Sequence, residues 1–294
     1  VTSAGDPLDL GGPLLRQLER LALRVRRPVL GQLGGGRRAN RPGSSLEFAD
    51  YRTYVPGDDF RRVDWNAYGR LDRLMLRLFE GEEDTCLNLF VDCSRSMAWG
   101  KPEKAWAARR MAGAFAYMTL CGHDRVSVTG FADGAIGHLR PVRGRAAALQ
   151  AWRFLADLPS SGETRYDSIS AVQVPAPGIS MIISDFLTEE SADRAIARLR
   201  SHGQQVILVE VLAPEELRPT IAGDIALRDL ENGRRVELTA TPAVLAGYQA
   251  ALDAHVESLR ALARAHDAGF HLAGSAEPLE VLIPQTLRRA GILA

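Results

Sequence analysis

From residue 86 onward the chain alternates short apolar runs with amphipathic stretches of helical period, and this alternation restricts the fold more than any other feature of its 294 residues. Runs at 86–91, 125–131, 179–184, 205–212 and 269–272 have strand length. Segments 104–121, 145–158, 191–202, 242–265 and 278–289 repeat apolar residues every three or four positions. Strands separated by helices that each need an apolar partner run parallel and are covered on both faces. The expected fold class is therefore α/β, a doubly wound, mostly parallel sheet over residues 84–294. Within it, Glu231-Asn232-Gly233 predicts a small hairpin insertion at about 224–239.

The first third of the chain reads differently. Leu14, Leu15, Leu18, Leu21 and Leu23 predict an N-terminal helix over 13–26 with one apolar stripe to dock, and 30–45 is rich in Gly, Arg, Pro and Ser. Residues 1–45 are thus expected to be a helix and linker, and 46–83 an extended or β-rich arm with a strand at 74–79. Thirty-six basic residues balance thirty-six acidic ones, which leaves no field for a nucleic-acid coat. Cys86, Cys93 and Cys121 lack the paired spacing of a disulfide framework or a zinc site. No run is long and apolar enough to span a bilayer and the acidic start has no leader pattern, so the expected location is cytoplasmic.

In a doubly wound sheet, ligands gather outside the carboxyl ends of the strands. The 86–91 run leads into Asp92-Cys93-Ser94-Arg95-Ser96, the 179–184 run ends at Asp185, and the loop before the helix-like 166–172 carries Thr164. Asp and Ser also suit turns and helix caps; what distinguishes these residues is that all fall at one expected sheet edge. Two carboxylates and three hydroxyls, without sulfur or imidazole, suit a hard divalent cation, Mg²⁺ or Mn²⁺.

Asp92, Ser94, Ser96, Thr164 and Asp185 resemble the metal-ion-dependent adhesion site (MIDAS) of the von Willebrand factor type A (vWA) domain. Glu47-Phe48, the string Arg52-x-Tyr54-x-Pro56-Gly57-Asp58-Asp59-x-Arg61-x-x-Asp64-Trp65, Ser184-Asp185-Phe186 and Ala213-Pro214-Glu215-Glu216-Leu217 are similar to the bacterial domain-of-unknown-function fifty-eight family. The resemblance covers about residues 43–270. It implies a vWA-like fold and a Mg²⁺ held by Ser94 and Ser96, and by Thr164 in one state, with Asp92 and Asp185 acting mainly through water. It further implies a non-enzymatic, chaperone-like adaptor of a MoxR-type AAA+ ATPase, its metal clasping an acidic side chain of the ATPase or of a client protein. One departure from the family pattern stands out: many relatives follow the threonine with Asp or Asn, whereas Arg165 and Tyr166 follow Thr164.

Other residues carry competing readings. Arg52, Asp58, Asp59, Arg61 and Asp64 cluster around Pro56-Gly57, as a pinned turn or as a second partner surface. A haloacid-dehalogenase-like phosphatase needs a second acid where Ser94 stands. The alternative function is a metal-dependent hydrolase in which Asp92 or Asp185 serves as base to a Mg²⁺-activated water. The six histidines show no ligand spacing, Cys93 reads as an apolar filler, and Trp99, Trp106 and Trp152 read as packing aromatics.

Overall fold

The computed structural model describes residues 6–25, 46–55, 60, 63–81, 85–175, 177–231 and 233–292. The chain divides into two compact units, 34–84 and the remainder. In the larger unit a helix, α1 (Gly12–Val25), precedes the sheet.

In the smaller unit β1 (Leu46–Thr53) pairs antiparallel with β2 (Met75–Gly81) through a register shift between Phe48 and Asp50, and α2 (Trp65–Leu71) lies between them in sequence. The strand expected at 74–79 is β2. Asp64 is buried and caps α2: its Oδ1 accepts from the amides of Asn66 (2.9 Å) and Ala67 (3.1 Å), while Oδ2 accepts from the Tyr51 hydroxyl (2.7 Å). This satisfies two amides that helix geometry leaves without partners. Arg52 sits on β1 opposite Leu76. Asp58, Asp59 and Arg61 lie outside the described residues.

The larger unit holds the sheet. Its strands are β3 (Cys86–Asp92), β4 (Arg125–Phe131), β5 (Ala135–Arg143), β6 (Gly178–Ser184), β7 (Gln204–Leu212) and β10 (Gly269–Gly274), in the order β10-β7-β6-β3-β4-β5. All neighbours run parallel except β4 and β5. No strand is expected at 135–143 from apolar content, because β5 is an edge strand whose side chains are mostly exposed. Asp133-Gly134, a turn-forming pair, is the local sign of the antiparallel return. A second hairpin, β8 (Gly223–Arg228) with β9 (Arg235–Ala240), occupies the expected insertion.

Helices cover both faces of the sheet. Leu87, Leu89 and Val91 share one core with α1, α3 (Lys104–Cys121), α4 (Ala148–Ala156) and α9 (Leu279–Arg289). Phe90, Ile182 and Leu208 join a second core with α6 (Asp193–Ser201) and α8 (Pro242–Ala265). The short helices α5 (Asp167–Ser170) and α7 (Pro214–Leu217) sit in loops. The odd–even division along β3 follows from the two-residue strand period.

Helix α3 is buried nearly all round because α1 covers the side turned away from the sheet; Leu14 and Leu18 are 2% and 0% exposed. Burying each such leucine contributes about 1.5–3 kcal/mol. The partner of the N-terminal apolar stripe is thus this chain's own α3, with α9 beside it.

One polar network crosses four adjacent strands. Ser127 Oγ donates to Asn88 Oδ1 (2.7 Å), while Asn88 Nδ2 and Ser180 Oγ each donate to Gln204 Oε1 (3.0 Å). A register slip by one residue would bury these groups unpaired, so the network specifies strand alignment.

Two predictions follow from these packing facts. Asp64→Ala should lower stability by about 1–2 kcal/mol and Asp64→Asn by less, since Asn still caps; equal unfolding midpoints for wild type and Asp64→Ala would refute the capping role. His271 is 1% exposed, neither ring nitrogen has a hydrogen-bond partner among the described residues, and burial, then Arg289, lowers its pKa to about 4. Below pH 6.5 the unfolded chain takes up a proton that the folded chain refuses, so this contribution is present above pH 6.5 and lost as pH falls toward 4. His271→Phe should therefore lose less stability than wild type between pH 7 and pH 4.5, by roughly 1–3 kcal/mol in denaturant titrations.

Candidate functional site

Strand β3 is the topological switch point, because the chain leaves it toward β4 on one side and later returns through β6 on the other. Its carboxyl end therefore opens a crevice between diverging loops. Asp92 ends β3, and Asp185 immediately follows the end of β6.

Asp92 is 1% exposed and organises the crevice. Its Oδ1 accepts from the Ser94 amide (2.8 Å); its Oδ2 accepts from Ser184 Oγ (2.5 Å) and Thr164 Oγ1 (3.1 Å). Ser94 Oγ lies 3.0 Å from Ser96 Oγ, the alternation in Asp92-x-Ser94-x-Ser96 having turned both hydroxyls together. Sequence-distant Thr164 thus meets Asp92 directly, and Asp185 is close enough for its charge to act on Asp92.

Backbone hydrogen bonds stitch the Thr164 loop to the Asp92 loop. The Ser161 amide donates to the Cys93 carbonyl (2.6 Å) and the Arg95 amide to the Gly162 carbonyl (3.1 Å). Gly162 has φ +83°, and a Cβ there would lie 2.7 Å from Asp133 Oδ2. Asp133 Oδ1 in turn accepts from the Glu163 amide (2.6 Å). Tyr166, the second residue after Thr164, anchors the loop from below: it is 1% exposed, hydrogen-bonds Ser184 Oγ (3.0 Å) and stacks on Phe186 at 5.5 Å. Arg165 points outward and pairs with Glu163 and Glu190.

The crevice concentrates negative charge. Burial, then the Asp185 charge, raises the Asp92 carboxyl to about 7, although its hydrogen bonds pull the other way. Lys104, 1% exposed at the start of α3, reaches Asp185 Oδ2 (2.8 Å) and Glu216 Oε1 (2.6 Å). Burial opposes its charge, but the two carboxylates outweigh burial and hold the ammonium above its ordinary pKa. One ammonium therefore serves two carboxylates. Nearby Glu210 is fully buried, and burial followed by Asp185 pushes it up to about 8.

This donor set fits a hard cation. Its oxygens are hydroxyl and carboxylate, its central carboxylate hydrogen-bonds no basic side chain among the described residues, and its net charge is negative. Among the described residues no group of three His, Cys, Asp or Glu side chains is placed to hold a metal ion, so a cation here depends on hydroxyls. Such a set would retain bound water and an exchangeable position, where a further carboxylate could enter. Cys93 is a packed filler: burial, then Asp92, pushes its thiol up to about 12.

Several residues of the crevice escaped sequence reading as site residues. Ser184 was legible as the end of a strand and as part of the Ser184-Asp185-Phe186 string, but not as a site residue. Lys104 carried a sign, because Lys101 and Lys104 are the only lysines in an arginine-rich chain. Glu216 stands in the Ala213–Leu217 string, and Glu231 stands in the hairpin turn, where its Oε1 accepts from Thr164 Oγ1 (3.2 Å). Trp99, expected to pack, is 40% exposed next to the site, whereas Trp152 is buried as expected.

Gly162→Ala should cost about 1–2 kcal/mol from the left-handed backbone alone. Displacing Asp133 should also speed hydrogen exchange at the Glu163 amide. Unchanged protection there would show that the loop's order does not depend on this glycine.

Comparison with known proteins places these observations. Solved structures similar to this chain include the conserved hypothetical protein BatB from Bacteroides thetaiotaomicron and an aerotolerance-related membrane protein from Bacteroides fragilis. Each is 16% identical, covers 70% of this chain and 98% of its own, and has a TM-score of 0.46. An uncharacterized membrane spanning protein from Vibrio fischeri matches 68% of this chain at 14% identity and a TM-score of 0.23. The cytoplasmic expectation, which rested on the lack of a bilayer-length apolar run and of a leader pattern, is corrected to no assigned compartment, since two of these similar proteins are described as membrane proteins. No helix among the described residues is long and apolar enough to cross a membrane, and that fact assigns no compartment. Uncharacterized proteins of Mycobacterium bovis and Mycobacterium tuberculosis are 30% identical over 257 residues, covering 84% of this chain and 80% of theirs. Residues 50–258 match the family described as protein of unknown function DUF58. With that match spanning most of the chain, the protein belongs to the DUF58 family.

Proposed function

We propose that the crevice is a MIDAS of vWA type and that the protein is a non-enzymatic, Mg²⁺-dependent interaction module. The observation that carries this reading is the meeting of Thr164 with Asp92 beside the paired Ser94 and Ser96 hydroxyls. Ser94, Ser96 and Thr164 would hold Mg²⁺, or Mn²⁺ in its place, with Asp92 and Asp185 contributing through water. When bound, the ion supplies an electrophilic position that a carboxylate oxygen fills. Neutral hydroxyls leave most of the ion's charge uncompensated, so an incoming Asp or Glu side chain is strongly attracted.

The resemblance noted from the sequence extends the proposal to an adaptor of a MoxR-type AAA+ ATPase, acting in remodelling or maturation of client proteins. The acidic group clasped would belong to the ATPase or to the client. A hydrolase reading would use Asp92 or Asp185 as base to a Mg²⁺-activated water. It predicts Mg²⁺-dependent turnover of generic phosphate esters that Asp92→Ala abolishes.

The interaction reading is tested by calorimetry and by binding of a purified MoxR-type ATPase in Mg²⁺ and in EDTA. The Ser94→Ala/Ser96→Ala variant should keep its unfolding free energy within about 1 kcal/mol of wild type, lose Mg²⁺ affinity at least about tenfold, and fail to retain the ATPase. A Mg²⁺ isotherm identical to wild type would exclude these ligands. ATPase binding indifferent to EDTA would exclude the metal-dependent adaptor.

A further inference from the structure

The β8–β9 hairpin places a carboxylate of this chain at the same hydroxyl that is to serve a metal. Thr164 Oγ1 has one proton, yet it faces Asp92 Oδ2 at 3.1 Å and Glu231 Oε1 at 3.2 Å. One donor cannot fully satisfy two carboxylates, and the second remains an electrostatic liability unless a cation lies between or beside them.

The hairpin tip is constructed to hold that carboxylate. Asp229 Oδ1 accepts from the Glu231 amide (2.8 Å), the Asp229 amide donates to the Arg234 carbonyl (2.8 Å), and the Gly233 amide closes on the Asp229 carbonyl (3.0 Å) at φ +76°. The ribbon behind the tip has almost no core: Leu227 and Val236 are 49% and 45% exposed. A two-stranded ribbon of this kind is marginally stable by itself, so its tip contact weighs heavily in its position and its release costs little. Leu230, the residue before Glu231, is 42% exposed, and Trp99, three residues after Ser96, and Leu187, two residues after Asp185, are 40% and 41% exposed.

We infer that Glu231 is an internal ligand of the site, filling the position of the incoming carboxylate, and that the partner presents an acidic loop with an apolar neighbour, chemically like Leu230-Glu231, which displaces the hairpin tip. This deepens the metal-site reading and rests on it. In the absence of a partner the tip would shield the cation from water and from free carboxylates. A partner must exceed the effective concentration of the tethered Glu231, which makes single acidic side chains weak competitors and selects for loops that also cover the apolar surface.

The test uses the full chain loaded with Mn²⁺ in place of Mg²⁺, with bound water counted by solvent-proton relaxation and acetate as the carboxylate probe. Wild type is compared with Glu231→Ala, with Glu237→Ala and with Ser94→Ala/Ser96→Ala. Glu237 is an exposed β9 carboxylate that pairs with Arg235 at 2.8 Å, so Glu237→Ala should behave as wild type. Glu231→Ala should gain about one Mn²⁺-bound water and bind acetate about tenfold more tightly than wild type. Hydrogen exchange across 223–240 should accelerate in Glu231→Ala, and in wild type on adding saturating acetate. If Mn²⁺ binds wild type and is lost from the double serine variant, while Glu231→Ala matches wild type in water count and acetate affinity, the internal-ligand inference is overturned and the metal site stands. If the double serine variant binds Mn²⁺ as wild type does, or if wild type binds none, the metal reading fails and this inference falls with it.

Discussion

A carboxylate at the end of a fully buried central strand is the constraint around which the rest of this fold is arranged. Asp92 cannot reach bulk water, so its charge requires either donors or a proton. Three donors arrive from three places: the amide of its own turn at Ser94, the hydroxyl of the adjacent strand end at Ser184, and the hydroxyl of a distant loop at Thr164. Each ties a separate element to β3. The Thr164 loop also needs Gly162 for its backbone and Tyr166 for its anchor, so satisfying one buried carboxylate organises residues spread across ninety positions.

Around this centre the protein carries more negative charge than its buried cation neutralises. Lys104 answers Asp185 and Glu216, and His255 Nε2 lies 3.3 Å from Glu210 Oε1, while burial and Asp185 raise the carboxyls of Asp92 and Glu210, and Glu231 meets the Thr164 hydroxyl that Asp92 also uses. A surplus of this kind is costly in a low-dielectric crevice, and that cost underlies the proposal of a hard divalent ion there. The β8–β9 ribbon delivers one of these carboxylates, Glu231, to the Thr164 hydroxyl.

Much of the fold was legible before any coordinates. The strands at β3, β4, β6 and β7 are buried on both faces and therefore appear as mostly apolar runs, interrupted by Asn88, Ser127, Thr129, Ser180 and Glu210. Helix α8 matches its expected bounds because Pro242 starts it and periodic leucines continue it. Strand β5 was not legible, because an exposed edge strand has little apolar content to betray it. The docking partner of α1 was equally hidden, since an apolar stripe specifies that something covers it and not what. In the arm, Asp64 emerges as a buried helix cap bonded to Tyr51, which favours a structural role for that residue.

By itself the sequence determined the α/β alternation and the sheet edge to which five oxygen-bearing residues were assigned, because strand burial and helix period are local properties written residue by residue. Tertiary structure decided which of those oxygens share a hydrogen bond, that Lys104 and Glu216 stand against Asp185, and that Glu231 reaches Thr164 from a hairpin sixty-seven residues away. Such pairings depend on strand order and loop path. They are fixed by the packing of the whole chain, and no local pattern encodes them.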